Sequence, residues 1–269
     1  MLGLTLVGPY DILTGKVKKS YIKDSEKILC HWRFYYDPPE FQTLIIKDSS
    51  SYHIGYFRDD SDEKEPIVVC NDAEKSCSIE SLADNLLAAV YGEIQKRKSK
   101  NRKLELIEQK LKQMCDHYNV KYSNANKNIR KREAKVNSKI FNNFGIVVPV
   151  DKNDVGYRPL TVSDAELKKI LNKICQIDDL ESRKKSNYYS QLMNLVSCVN
   201  FANDECDFGM GLELGLDLFC SGDQFFHSLI EFLLSVSYDL LNRSQFGQII
   251  KSHIKNRRKG NQLSAFDIM

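Results

Sequence analysis

Five carboxylates and three glycines fall within seventeen residues in the stretch FANDECDFGMGLELGLD at 201–217: Asp204, Glu205, Asp207, Glu213 and Asp217 among Gly209, Gly211 and Gly215. The stretch reads as the end of a helix. Acids at a helix C-terminus oppose the macrodipole, and like charges held close disfavour joint ionisation. Local rules are broken here, and functional sites are where such breaks concentrate. Two readings stand side by side. One is a carboxylate base in a glycine-shaped cleft, or an acidic docking surface for a cation. The other is a solvated helix end whose acids pair with nearby Lys or Arg.

A second candidate is VDKNDVGYR at 150–158, a polar turn in which Gly156 supplies backbone freedom and Tyr157 and Arg158 follow. A guanidinium is a planar fork suited to orienting a carboxylate. Against this stands a plain linker turn with a packed Tyr and a solvated Arg. The five histidines, at 31, 53, 117, 227 and 253, show neither metal-ligand spacing nor a nucleophile partner. Cys70 and Cys77 are separated by six residues without a matching pair, so the spacing predicts no zinc site. The eight cysteines are expected as reduced thiols, because Cys115, Cys175 and Cys198 lie in helix-like apolar patterns where a thiol acts as a small hydrophobe. No G-x-S-x-G, P-loop or G-x-G-x-x-G occurs. The chain carries no nucleotide-binding motif, so no cofactor is expected on it.

The elements that must hold these residues fall into two classes, giving an α+β fold: an N-terminal, mainly antiparallel sheet with covering helices, then an all-helical C-terminal domain. HWRFYY at 31–36, FQTLII at 41–46, YHIGYF at 52–57 and PIVVC at 66–70 are strand candidates, punctuated by turn signals in GPYD at 8–11, DPPE at 37–40 and KDSSS at 47–51. From Ser81 the period becomes helical through Leu82, Leu86, Leu87, Val90 and Ile94, with Ser81 and Asp84 as a capping box. Leu104, Ile107, Leu111, Met114 and Tyr118 form a second helical stripe. FGIVVPVD at 144–151 reads as a returning strand. The division is set there, with domains 1–150 and 151–269. Beyond it, Ser163 and Glu166 cap a helix through Leu167, Ile170, Leu171 and Ile174, and further stripes run through 192–199, 225–241 and 246–254.

At 269 residues the chain has room for two domains, and its 42% hydrophobic residues suffice for a packed core. No apolar run approaches the roughly 18 residues needed to cross a bilayer, and no membrane is expected as a partner. The opening Leu2, Leu4, Leu6 and Val7 read as a strand without a lead-in, so an N-terminal extension is expected to be missing. Net charge is only +3, but residues 96–139 hold 15 Lys/Arg against 4 Asp/Glu, while the remainder holds 24 against 32. Such a segment suits phosphate neutralisation on nucleic acid, or is simply a solvated helical face. Its only aromatics are Tyr118 and Tyr122, few for stacking on bases.

Several blocks together resemble the histone PARylation factor family, accessory proteins of poly(ADP-ribose) polymerases: LGLTLVGPYDIL at 2–13, HWRFYYDPPEFQT at 31–43, YHIGYFRD at 52–59, VVPVDKNDVGYR at 147–158 and FANDECDFGMGLELGLDLF at 201–219. They span nearly the whole chain in order. Residues 94–140 and 176–192 carry little of the signature. The resemblance implies a factor that binds the polymerase catalytic domain after DNA damage and completes a joint active site for serine ADP-ribosylation of histones. It implies that Glu205 is the general base, that Arg158 holds it, and that Asp204, Tyr157 and Arg158 meet the partner. NAD would be held by the polymerase, and the chain alone would not be an enzyme. The implied setting is the nucleus, on chromatin at damage sites, with a monomer when free.

Two other classes compete with this reading. A nucleic-acid or chromatin-binding module would use the basic segment 96–139. A self-sufficient acid/base hydrolase would need two carboxylates about a sugar pocket.

Overall fold

The computed structural model describes residues 2–18, 25–97, 102–123 and 126–267. The chain divides into two compact units, Met1–Lys135 together with Arg258–Met269, and Val136–Arg257. The sequence reading set the division at 150.

The first unit is built on five strands, β1 (Leu4–Leu6), β2 (Phe41–Lys47), β3 (Tyr52–Phe57), β4 (Ile67–Asp72) and β5 (Glu80–Ala83), in chain order and all antiparallel. This is the expected α+β architecture. Two short helices, α1 (Pro9–Leu13) and α2 (Ser25–Cys30), lie between β1 and β2. After β5 come α3 (Leu86–Arg97), α4 (Arg102–His117) and α5 (Lys127–Glu133). Ala88 and Ala89 of α3 pack with Leu44, Ile45, Ile54 and Val68 of the sheet. Small alanines allow a helix to approach a pleated face closely.

HWRFYY is not a strand. Trp32 takes a left-handed φ of 54°, and the segment is fixed by buried acids instead of a ladder. Asp37 accepts from the Phe34 amide at 2.9 Å, from Thr43 Oγ1 at 3.0 Å and from His53 Nε2 at 2.7 Å. Asp11 accepts from Trp32 Nε1 at 3.0 Å. GPYD likewise opens α1 and is not a bare turn, with the Gly8 amide donating to Asp11 Oδ2 at 3.0 Å. Ser81 lies in β5, so the expected capping box is absent. Asn85 Oδ1 accepts from the Ala88 amide at 2.9 Å, while Asp84 accepts from the amides of Asn128 and Ile129 in the first turn of α5.

Along α4 the buried positions are Leu104, Glu108, Leu111 and Cys115, whereas Met114 is 51% and Tyr118 67% exposed. The stripe therefore turns through Cys115 where the sequence suggested Met114. Of the basic segment 96–139, residues 98–101, 124 and 125 lie outside the described residues. Arg132 is buried, with a bidentate grip on Asp59 at 2.8 and 2.9 Å.

The second unit is helical: α6 (Asp164–Cys175), α7 (Leu180–Lys185), α8 (Asn187–Asp204), α9 (Gly209–Ser221), a 3-10 turn at Gln224–Phe226, α10 (His227–Leu240) and α11 (Ser244–Asn256). Ser163 caps α6 as expected, accepting from the Glu166 amide at 3.3 Å. FGIVVPVD forms no strand; a single bridge joins Ser138 to Ile146, and Ile146 and Val148 enter the helical core. Every residue of α9 from Gly209 to Cys220 is buried. Glycines permit this. A Cβ at Gly211 would meet Ser237 Oγ at 2.5 Å, and one at Gly215 would meet Leu234 Cδ2 at 2.5 Å, so α9 packs closer to α10 than any side chain allows.

Candidate functional site

The five acids of 201–217 do not share one surface. Asp204 and Glu205 are exposed at the end of α8, Asp207 is buried in the link to α9, and Glu213 and Asp217 are buried within α9. The expected acidic docking surface is therefore reduced to Asp204 and Glu205. The stretch is a junction between two helices, and α9 was hidden by its own glycines.

That junction has a defined geometry. Glu205 is the C-cap of α8, and the chain reverses through Cys206, whose φ is 68°. The Asp207 amide donates to the Ala202 carbonyl at 2.8 Å, and the Cys206 amide to the Asn203 carbonyl at 3.1 Å. This pair of bonds is a Schellman closure, usually completed by glycine in the left-handed position. Cysteine there keeps a Cβ against the carbonyl, a strain of roughly 1 kcal/mol. The closure turns Glu205 outward and Asp207 inward.

Arg158 links the two. Its Nη2 bonds to Glu205 Oε2 and lies 2.9 Å from Asp207 Oδ2. The Glu205 side chain is 58% exposed and that of Asp207 only 8%. The hydrogen bond to Glu205, followed by the charges of Glu205 and Asp207, holds the guanidinium above its ordinary pKa. Asp207 also accepts from the Gly156 amide at 3.0 Å, and the Gly209 amide donates to the Gly156 carbonyl at 2.9 Å. The turn before it is closed by Asp151, which accepts from the amides of Asn153 and Val155 at 2.7 and 3.0 Å. Gly156 is required at its place: φ is 135°, and a Cβ would sit 2.1 Å from the Pro149 carbonyl oxygen.

Tyr157 points inward. Its hydroxyl donates to Glu213 Oε2 at 3.0 Å, and Ser138 Oγ donates to Glu213 Oε1 at 2.9 Å. Burial, followed by the nearby Glu213 carboxylate, pushes the phenol up to about 12, so it remains a donor. Burial also raises Glu213 above the ordinary carboxylate range. The structure thus joins Glu205 and Arg158 in one charged network and puts Tyr157, the residue before Arg158, in a second with Glu213 and Ser138, whereas Asp204 stands exposed on the last residue of α8. Sequence reasoning named Asp207 and Glu213 without a role and missed Ser138, a lone hydroxyl with no motif around it. Among the described residues, no three His, Cys, Asp or Glu side chains group as metal ligands, and no helix is long and apolar enough to cross a membrane.

The arrangement offers one carboxylate to an incoming group while its counter-charge is anchored from behind. The family model for histone PARylation factor 1 matches residues 1–257. The chain belongs to that family. Similar proteins named histone PARylation factor 1 come from Bos taurus, 45% identical over 95% of this chain and 75% of the relative, and from Mus musculus, 44% identical over 97% and 77%. The one from Danio rerio is 44% identical over 98% of this chain and 77% of its own. The match to the histone PARylation factor 1 family includes both segments of the site, 150–158 and 201–217.

Proposed function

We propose that this chain docks on the catalytic domain of a poly(ADP-ribose) polymerase and lends Glu205 as general base for serine ADP-ribosylation of histones on nuclear chromatin. What supports the reading is the exposed Glu205 carboxylate at the end of α8, oriented by an arginine whose other contact is the buried Asp207. In the transfer, the bond from the ribose anomeric carbon to nicotinamide breaks and nicotinamide leaves. The serine oxygen bonds to that carbon, and the serine proton passes to Glu205. A hydroxyl that keeps its proton attacks poorly, and a placed base contributes roughly 10² to 10⁴ in rate. The NAD belongs to the polymerase, so the chain acts only in the complex. Docking removes water from Glu205 and strengthens it as a proton acceptor. Asp204, exposed beside Glu205, and Arg158 form the contact surface for the polymerase, with Tyr157 beside that interface.

The nucleic-acid reading of segment 96–139 is weakened by its buried side, where Arg132 is turned inward onto Asp59. The test is reconstitution with polymerase, NAD and a serine-bearing histone peptide. Glu205→Gln should bind the polymerase as the parent does and lose serine transfer by a factor of about 10² or more. Full transfer by that variant would falsify the assignment of the base.

A further inference from the structure

Glu213 is 4% exposed in the middle of α9, so it is no proton acceptor for a docked substrate. A carboxylate in a helical core is nevertheless costly unless its oxygens are matched. Both are matched by hydroxyl donors, Ser138 on one oxygen and Tyr157 on the other. The second bond matters for the site, because Tyr157 immediately precedes Arg158. One side chain of this pair is turned inward and held at its far end, and the next is exposed and bonded to Glu205.

We infer that Glu213 is a positioning residue of the site, holding the Gly156–Arg158 segment from beneath through the Tyr157 hydroxyl and so setting where Arg158 presents Glu205. The inference rests on the proposed role of Glu205 and names the support of that same site. The segment is also held at Gly156, by its amide on Asp207 and its carbonyl under the Gly209 amide, and at the head of Arg158 by buried Asp207. None of these reaches the far end of the Tyr157 ring, which packs on the helical core and is fixed at its tip by the hydroxyl bond to Glu213. A carboxylate suits the task because it only accepts, matching two O–H donors with no choice of orientation. An amide presents one acceptor and one donor, so one hydroxyl must turn and accept instead.

The experiment uses the full chain with polymerase, NAD and a serine-bearing histone peptide, comparing Tyr157→Phe, Glu213→Gln and the double variant, with Glu205→Gln in parallel. Transfer at saturating factor, the Kd for polymerase and the unfolding midpoint are measured for each. The expected result is a roughly five- to tenfold loss of saturating transfer in each single variant, below the ~10² that a full ångström of misplacement can cost. The double variant should lose no more than the worse single one, because both act through one bond, and Kd should stay within about twofold. Transfer at the parent rate in both single variants overturns the inference, as do losses that multiply in the double variant, or a loss confined to Kd or to the unfolding midpoint. If Glu205→Gln is inactive while the others match the parent, only the positioning role fails. If Glu205→Gln is active, the reading of the base fails instead.

Discussion

The amide of Gly209, first residue of the buried helix, donates to the carbonyl of Gly156 at 2.9 Å, tying the loop that carries Arg158 to the start of α9. The contact leaves no room for a side chain. A Cβ at Gly209 would lie 2.8 Å from both Tyr157 Cδ2 and Val148 Cγ2. Gly209→Ala is therefore expected to lower stability by about 1–3 kcal/mol, as overpacking does, and to reduce serine transfer as well, since the displaced ring adjoins Arg158. Urea denaturation alongside the transfer assay checks this; an unchanged midpoint would show that the loop yields freely.

Replacing Arg158 separates orientation from charge. Both acids are met by one guanidinium nitrogen, Nη2, so a lysine ammonium keeps the charge between them but loses the rigid planar head that fixes where Glu205 is held. Transfer should fall by about tenfold or more in Arg158→Ala and by less in Arg158→Lys. Because Glu205 and Arg158 are both well exposed, their pairing should also weaken with added salt. Initial rates at low and high ionic strength, taken with saturating factor, test both statements.

Cys206 occupies a backbone conformation that glycine adopts without a Cβ penalty. Cys206→Gly should raise stability by ~0.5–1 kcal/mol through relief of that strain, net of glycine's greater freedom when unfolded. Transfer should be retained, since Glu205 and the two closing hydrogen bonds do not involve the thiol. A lower thermal midpoint would indicate that the sulfur itself contributes packing.

Asp217 gives a prediction in pH. It is fully buried, with Oδ1 accepting from the Phe141 amide at 2.8 Å, and burial drives it from 3.8 up to about 8. The folded chain thus keeps a proton that the unfolded chain releases near pH 4. Between about pH 4 and about pH 8 the unfolded state binds fewer protons, so stability should decline as pH rises, by up to about 1.4 kcal/mol per pH unit from this group. Asp217→Asn retains an acceptor for the Phe141 amide and removes the titration. Its stability relative to the parent should therefore improve steadily across that window, and parallel curves would show that Asp217 is already ionised in the folded chain.

Periodicity made much of the scaffold legible. FQTLII, YHIGYF and PIVVC became β2, β3 and β4 because runs of aromatic and β-branched residues between turn signals suit strands, and most of their residues are buried. Ser163 capped α6 because side-chain capping is a local interaction. HWRFYY misled because Asp37 and Asp11, distant or unremarkable in sequence, replace a strand's ladder with buried side-chain bonds. Ser81 and Asp84 had the spacing of a capping box, yet Asp84 found the amides of α5, forty-odd residues away. In the site, the density of acids marked the place, and the family resemblance named Glu205 and Arg158. What spacing could not show is that α9 begins at Gly209, because its glycines look like breakers until Leu234 and Ser237 are seen to occupy the missing volume. Ser138 carried no signal at all, since its role exists only once α9 lies beside it.

The last dozen residues of the chain are part of the first unit, where Leu263 joins Val7, Trp32 and Phe34 and its carbonyl accepts from the Trp32 amide at 3.1 Å. The helical unit is thus an insertion, bracketed at both ends by sequence that folds elsewhere. The sheet-bearing body must wait for Leu263 to leave the ribosome before it acquires that hydrophobic plug, whereas the helices bearing Glu205 have every residue they need earlier. Trimming the C-terminus would accordingly injure the portion translated first and spare the carboxylate.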